Sequence, residues 1–340
     1  MPVRVLIVDD SPVIRAIMKS VLRQDPEIEV IGEAGDPYEA REAIKRLNPD
    51  VITLDVEMPR MSGVEFLKKI MQLRPMPVVM VSSLTAAGSE KAIDALAIGA
   101  VDCIGKPVGG DTPNPFLELP AILKNAARAS ANVQYTEQKT VRREAYNPAD
   151  KVVFIGASTG GVDALFRILR SFPASCPPTL IVQHMPSGFT ASFASRLNHH
   201  CAPTVREATH GTVLRPGHVY IAPGGDRHLE VSGKHEPTCL LVDGPPVSGH
   251  SPSVDRLFMT ASALGPRAVG VLLTGMGRDG ADGLKAIRDR GGYTIAQSEA
   301  TCVVYGMPRV AAEIGAVNIQ LPLNMIAAET LKAAGEWITA

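Results

Sequence analysis

Cysteine is scarce in this 340-residue chain, and what there is follows no pattern: five residues, at 103, 176, 201, 239 and 302, with no Cys-x-x-Cys pair. An odd, scattered set argues against a disulfide framework and fits free thiols in a reducing cytoplasm. Excess charge of one sign is also missing. The formal net charge is -1 and there is no basic block, so nothing points to nucleic acid or to a membrane surface. Long apolar runs are absent too: the longest are strand-sized, far short of a membrane span. The first apolar run, Val3 to Val8, is short and meets Asp9-Asp10 at once, which reads as an opening strand and not as a signal peptide. Internal repeats and low-complexity tracts are lacking. His199-His200-Cys201 stands without a second ligand pair at metal spacing, which disfavours a zinc site there.

The length suggests roughly two domains, each able to bury its own core. In the first third, strand-like runs at 4–8, 30–33, 51–54, 78–81 and 102–104 alternate with amphipathic stretches at 13–22, 37–47, 63–73 and 91–96. Such alternation predicts a parallel sheet with helices on both faces. A Gly-, Pro- and Asp-rich stretch at 109–115 precedes an Ala-rich helical piece at 121–131, and 132–150 is polar without apolar periodicity. The region 123–149 reads as a linker, helical at its start and looser later. Beyond it, strands are expected at 152–155, 179–183, 204–207, 219–221, 229–231, 239–242, 269–273 and 294–296, and helices at 255–264, 282–290 and 327–334. The segment 314–319 fits either type.

Asp9 and Asp10 end the first expected strand, Asp55 the third, Ser82 the fourth and Lys106 the fifth. In a doubly wound sheet these carboxyl ends share one crevice. Three carboxylates there repel one another unless a cation neutralises them, and Mg²⁺ suits such a set because it keeps waters for a phosphate. Strand-end aspartates are also ordinary turn residues, but that explains one or two of these positions and not five of complementary chemistry. Lys106-Pro107 is a candidate cis peptide.

Asp9-Asp10, Asp55 with Met58-Pro59 and Gly63 after it, Ser82 and Lys106-Pro107 together resemble the receiver domain of bacterial response regulators. The resemblance covers residues 1–122. It implies that a partner histidine kinase phosphorylates Asp55. Asp9, Asp10, Asp55 and the backbone carbonyl of Glu57 would hold Mg²⁺, with Ser82 and Lys106 on the phosphoryl group. Receivers usually carry an aromatic three residues before the lysine; here it is Cys103, which puts the aromatic rotamer switch in doubt.

In the second half, an apolar run over 151–155 leads into Gly156-Ala-Ser158-Thr-Gly160-Gly161 and then a helical pattern. A serine between a strand's carboxyl end and a helix's amino end has the helix dipole and free N–H groups favouring negative charge beside it. A nucleophile needs that setting; a phosphate-binding turn or a simple N-cap also fits. His184 directly follows the run 179–183, and Asp279 lies in the loop after 269–274. Three strands would thus deliver Ser, His and Asp to one crevice. By pattern alone Asp226 and Asp255 compete for the acid role, and His228 and His250 for the base.

The segments around Ser158, Gln183-His184-Met-Pro186, Ala222-Pro-Gly-Gly-Asp226, His250-Ser-Pro-Ser-Val-Asp255 and Thr274-Gly-Met-Gly-Arg-Asp279-Gly280 resemble the chemotaxis methylesterase family over residues 150–338. The resemblance implies that Ser158 is the nucleophile, His184 the base and Asp279 its partner, with Thr159 and the backbone around Met276 on the oxyanion side. It leaves His250 and Asp255 without an assigned role. The fold expected is α/β in two doubly wound domains. A flavodoxin-like receiver (1–122) and a linker (123–149) precede a mostly parallel-sheet, Rossmann-like serine esterase domain (150–340).

The family implies a cytoplasmic enzyme that hydrolyses glutamate methyl esters on chemoreceptors and deamidates receptor glutamines. Its partners would be chemoreceptors as substrate and a chemotaxis histidine kinase as phosphodonor, with no nucleic acid and no membrane insertion. Mg²⁺ would sit at the receiver and no cofactor in the catalytic half. The family also implies that the unphosphorylated receiver blocks the esterase crevice. Two other classes remain open from the residues. One is a phosphorylation-controlled binding protein with a phosphate or nucleotide on the Ser158 turn, although that turn lacks both the Gly-x-Gly-x-x-Gly fingerprint and a P-loop lysine. The other is a serine hydrolase of a different ester.

Overall fold

The computed structural model describes residues 1–83, 85–107, 114–128 and 145–338. The expected Gly/Pro/Asp-rich stretch up to residue 113 and positions 129–144 of the expected linker lie outside the described residues. The chain divides into two compact units, Met1–Val133 and Gln134–Ala340.

The first unit runs β1 (Val3–Val8), α1 (Pro12–Leu22), β2 (Ile28–Ala34), α2 (Pro37–Leu47), β3 (Val51–Asp55), α3 (Gly63–Leu73), β4 (Val78–Ser82), α4 (Ala86–Ile98), β5 (Asp102–Gly105) and α5 (Leu119–Arg128). The strands form one parallel sheet in the order β2-β1-β3-β4-β5, the flavodoxin-like arrangement. Helices begin where side chains satisfy their free N–H groups. Ser11 accepts from Ile14 N before Pro12, Asp36 accepts from Tyr38 N and Glu39 N, and Ser62 forms a reciprocal box with Glu65. On one sheet face Val5, Ile7, Val51, Val79, Val81 and Ile104 pack with Met18, Leu22, Leu119 and Leu123. The expected domain boundary at 122 therefore falls inside α5. Its residues Leu123 and Ala126 are fully buried in this core with Met18 and Leu22 of α1, which makes 123–128 part of the first unit because their apolar face is covered there.

The second unit runs β6 (Ala145–Pro148), β7 (Val152–Ala157), α6 (Gly161–Arg170), β8 (Thr179–Gln183), α7 (Phe189–His200), β9 (Thr204–Glu207), β10 (His218–Ile221), β11 (Arg227–Ser232), β12 (Thr238–Asp243), α8 (Val254–Ala261), β13 (Ala268–Leu272), α9 (Ala281–Asp289), β14 (Tyr293–Gln297), α10 (Met307–Glu313), β15 (Ile319–Leu321), α11 (Leu323–Ala334) and β16 (Gly335–Ile338). Seven strands make a parallel sheet in the order β15-β14-β13-β7-β8-β10-β9. The strand order turns at β7, with β8 on one side and β13 on the other. That is the topological switch point, where doubly wound sheets open a crevice at their carboxyl edge. β11 and β12 pair antiparallel outside the main sheet, as do β16 and β6.

Four local expectations are corrected. The helix expected over 255–264 ends at Ala261, where 3₁₀ turns at Ser262–Arg267 carry the chain past Gly265-Pro266. The ambiguous segment 314–319 is a turn at Gly315 leading to β15. Residues 145–148, placed in the linker, form β6 on β16. The cis peptide among the described residues is Ser251–Pro252 and not Lys106–Pro107; trans is the default for an X-Pro bond.

One close approach in the first unit is decisive. Gly63 N donates to Val56 O at 3.0 Å, and a Cβ on Gly63 would lie 1.8 Å from the backbone oxygen of Asp55. Gly63→Ala is expected to destabilise the first unit by roughly 3 kcal/mol and to lower its calorimetric transition. The transition reported by Trp337, the single tryptophan, should stay in place. An unchanged calorimetric trace would show that the strand end yields freely.

Candidate functional site

At the carboxyl edge of the first sheet, register does the positioning. Val8 pairs with Leu54 and Asp55 with Val81, so Asp9 and Asp55 emerge side by side. Ser82 pairs with Gly105, and Lys106 N donates to Ser82 O at 2.8 Å, which starts Lys106 at the same edge. The Lys106 ammonium lies 3.1 Å from Asp9 Oδ2 and 2.9 Å from Asp55 Oδ2. Asp9 Oδ1 accepts from Ser11 N, and Asp55 Oδ1 from Glu57 N.

Burial and then the neighbouring Asp9 push the Asp55 carboxyl up to about 6, against the pull of Lys106. Asp9 is raised as well, by burial first. Asp9, Asp10 and Asp55 bring their oxygens within 4.8 Å of one another. The two buried Oδ2 atoms have the lysine charge nearby but no aligned hydrogen bond. A hard, oxygen-seeking divalent cation fits such a donor set. The Ser82 hydroxyl is buried and donates to Gly88 O at 3.0 Å. The Glu57 side chain pairs with Lys91 at 3.1 Å.

In the second unit the same logic works across three adjacent strands. Ala157 pairs with Gln183, so Ser158 and His184 leave neighbouring strands at the same level, and Leu272 pairs with Gly156 on the other side. Gly160, at φ +76°, makes the left-handed step into α6 that glycine takes without strain. Three ties fix the serine turn. Ser158 N donates to Thr274 O, the Thr274 hydroxyl donates to Thr159 O, and Gln183 Nε2 donates to both Ser158 O and His184 O. Gly275 packs so closely that a Cβ there would sit 2.7 Å from Ser158 Cβ.

His184 Nε2 lies 2.8 Å from Asp279 Oδ2, while His184 Nδ1 is buried with no partner. Asp279 takes three more hydrogen bonds: Ser253 Oγ and Asp255 N to Oδ1, and Val254 N to Oδ2. The carboxylate thus sits on the open N-terminus of α8. Burial opposes its ionisation, but His184, Asp255 N–H and the Ser253 hydroxyl outweigh that and hold Asp279 below the usual carboxylate value. Asp255 goes the other way, raised by burial and by Asp279, with Gly283 N–H and Ser248 only partly opposing.

The competing candidates fall elsewhere. Asp226 is exposed. His228 is fully buried and spans Pro245 O and Ser253 N. Asp255 binds Gly283 N at the start of α9. His250 stacks on His184, ring centroids 3.7 Å apart and planes 16° apart. Thr159 is buried at the turn and Met276 is exposed in the loop before Asp279. Of the His199-His200-Cys201 run, His199 bonds its own helix at Ser195 O and His200 lies on Phe166.

Two residues were missed from the sequence. Ser253 both caps α8 and holds Asp279; a serine just before a helical run was the available signal. Gln183, the bracket between Ser158 and His184, stood inside the Gln183-His184-Met-Pro186 segment without a role of its own.

Burial, then the positive charge that His184 can carry, push His250 down to about 4, with Asp279 pulling the other way. A histidine depressed on folding makes the unfolded chain take up the proton first, so stability falls as pH drops from 6.5 towards 4. Urea unfolding followed by Trp337 fluorescence should show a shallower fall for His250→Phe than for the unaltered chain. Identical curves would mean that His250 titrates freely.

Residues 153–330 match the CheB methylesterase family and residues 5–112 the response regulator receiver domain. The protein-glutamate methylesterase/protein-glutamine glutaminase of Agrobacterium fabrum is 57% identical over 97% of this chain and 96% of its own length. A Caulobacter vibrioides protein of the same name is 55% identical over 98% of each. Among solved structures, the Thermotoga maritima CheB methylesterase catalytic domain superposes with a TM-score of 0.52 at 38% identity, covering 54% of this chain and 97% of that one. With its paired aspartate and histidine beside the serine turn and its acidic sheet edge in front, this chain belongs to the CheB methylesterase family and carries that family's catalytic domain behind a receiver domain.

Proposed function

We propose that this chain is a phosphorylation-activated serine hydrolase. It demethylates glutamate methyl esters on the cytoplasmic helices of chemoreceptors and deamidates glutamines there. The observation that carries this reading is the buried Asp279–His184 pair on a strand next to the serine turn. The phosphoacceptor domain runs from residue 1 through α5, and the methylesterase domain takes 145 onward. The enzyme would meet those receptor helices in the cytoplasm.

The chemistry follows from the donors and acceptors. Asp279 fixes the tautomer in which His184 Nε2 carries hydrogen, leaving Nδ1 as acceptor. Nδ1 takes the Ser158 proton as Oγ bonds to the ester carbonyl carbon. The oxyanion forms at the start of α6, where Thr159 and the Met276 backbone are the proposed supports. His184 then gives the proton to the leaving methoxide, and methanol departs. Water attacks the acyl-serine with His184 again as base, the acyl–Oγ bond breaks as His184 returns the proton to Ser158 Oγ, and glutamate is freed. On a glutamine side chain the leaving group is ammonia.

At the other site, a histidine kinase would phosphorylate Asp55. Asp9, Asp10, Asp55 and the Glu57 carbonyl would hold Mg²⁺, which supplies charge neutralisation when bound. Lys106 and Ser82 would meet the phosphoryl oxygens; to donate there, the Ser82 proton must leave Gly88 O. Phosphorylation adds about -1.5 to -2 of charge. A tenfold rise in activity needs only about 1.4 kcal/mol of bias between two states.

Methanol release from methylated chemoreceptor tests both sites. Ser158→Ala should lose activity on the order of a thousandfold or more. Asp55→Asn should keep basal release but ignore a small phosphodonor with Mg²⁺. Release that persists in Ser158→Ala would overturn the nucleophile, and a normal phosphodonor response in Asp55→Asn would overturn the phosphoacceptor.

A further inference from the structure

His184 is hydrogen-bonded through one ring atom only. Asp279 holds Nε2, and Nδ1 has no partner. A single bond leaves an imidazole free to tilt about that contact, and a tilt of the ring moves Nδ1 relative to the serine. What covers its face is His250, nearly parallel and in van der Waals contact.

His250 is itself well fixed. Its N–H and C=O form a two-way bridge with Val247, each bond 3.0 Å. Next to that bridge, Ser248 donates to Asp255 Oδ2 at 3.0 Å. Asp255 lies in the first turn of α8, the helix whose N-terminus holds Asp279. The loop bearing His250 and the carboxylate orienting His184 are therefore anchored on the same helix end.

We propose that His250 is a positioning residue, whose ring lies flat on His184 and fixes the tilt that keeps Nδ1 towards Ser158. This rests on the triad reading above. The ring facing His250 is that of His184, and the charges that act on it are those of His184 and Asp279. Burial and the nearby His184 disfavour a charge on His250, so the stack survives when His184 becomes the cation. His250 gives up no proton and forms no bond to substrate; its contribution is shape and planarity.

The test uses the whole chain with methylated chemoreceptor, phosphodonor and Mg²⁺, reading methanol release. His250→Ala should lower kcat on the order of tenfold to a hundredfold, the scale of a misplaced catalytic group, with KM within about twofold of the unaltered chain. His250→Phe, which restores a flat ring, should recover most of that loss. If the alanine chain does not fold by Trp337 fluorescence, His250→Gln takes its place and should be as slow. Unchanged kcat in the non-aromatic variant, a loss confined to KM, or a phenylalanine chain as slow as the alanine one would each overturn the proposal. Ser158→Ala run alongside separates the two readings. If it retains full release, the triad itself is wrong, whereas its inactivity beside a fully active His250→Ala sinks only the role of His250.

Discussion

One buried carboxylate organises the second unit's site. Asp279 is almost wholly inaccessible, and a charge there would be costly without partners. Four donors meet it: an imidazole, a hydroxyl and two backbone N–H groups at the start of α8. The same oxygens that orient His184 also cap a helix, so the orientation of that imidazole is tied to the packing of α8 against β7 and α9. The helix end supplies partial positive charge to an anion, which helps keep Asp279 ionised where burial alone would protonate it. Asp255, in the same first turn, binds the start of α9 and the loop bearing Ser248 through its side chain. Two neighbouring carboxylates thus divide the work: one faces the imidazole, the other closes the scaffold around it.

The first unit solves the opposite problem. There, carboxylates gather with one ammonium, and burial first, then the neighbouring Asp9, raise Asp55 to about 6 against the pull of that ammonium. The second unit is built to keep an anion; the first crowds carboxylates whose charge a divalent cation would offset. Both use the same device, a sheet that reverses its strand order at its first long strand and collects side chains at the carboxyl edge.

Much of this was legible in the sequence, because the signals were of the kinds that sequence preserves. Strands β1, β3, β4, β7, β8 and β13 are buried apolar runs, and each ends in a chemically distinct residue or loop. Ser158, His184 and Asp279 could be proposed from that position alone, while the pairing of His184 with Asp279 in place of Asp226 or Asp255 depended on loop geometry. α7 was missed because its apolar face, Phe189, Phe193, Ala194 and Leu197, is interrupted by Ser, Thr, Asn and His of modest helix propensity. The end of α5 was misread because an Ala-rich helix followed by polar sequence looks like a linker until Leu123 and Ala126 are seen in the core. His250 illustrates the deepest limit. Its motif was visible, but a face-to-face contact between loops 66 residues apart in sequence leaves no trace in spacing.

The pairing of β6 with β16 has a consequence for engineering. These are the first and last strands of the second unit, and they lie antiparallel, with Tyr146 edge-on to Trp337 and its hydroxyl bonded to Leu331 O. Entry and exit of the chain are therefore zipped together on one side of the unit, remote in the topology from the switch point at β7 and β13. A short peptide joining them would let the unit be circularly permuted, with new ends cut into an exposed turn such as that between β11 and β12.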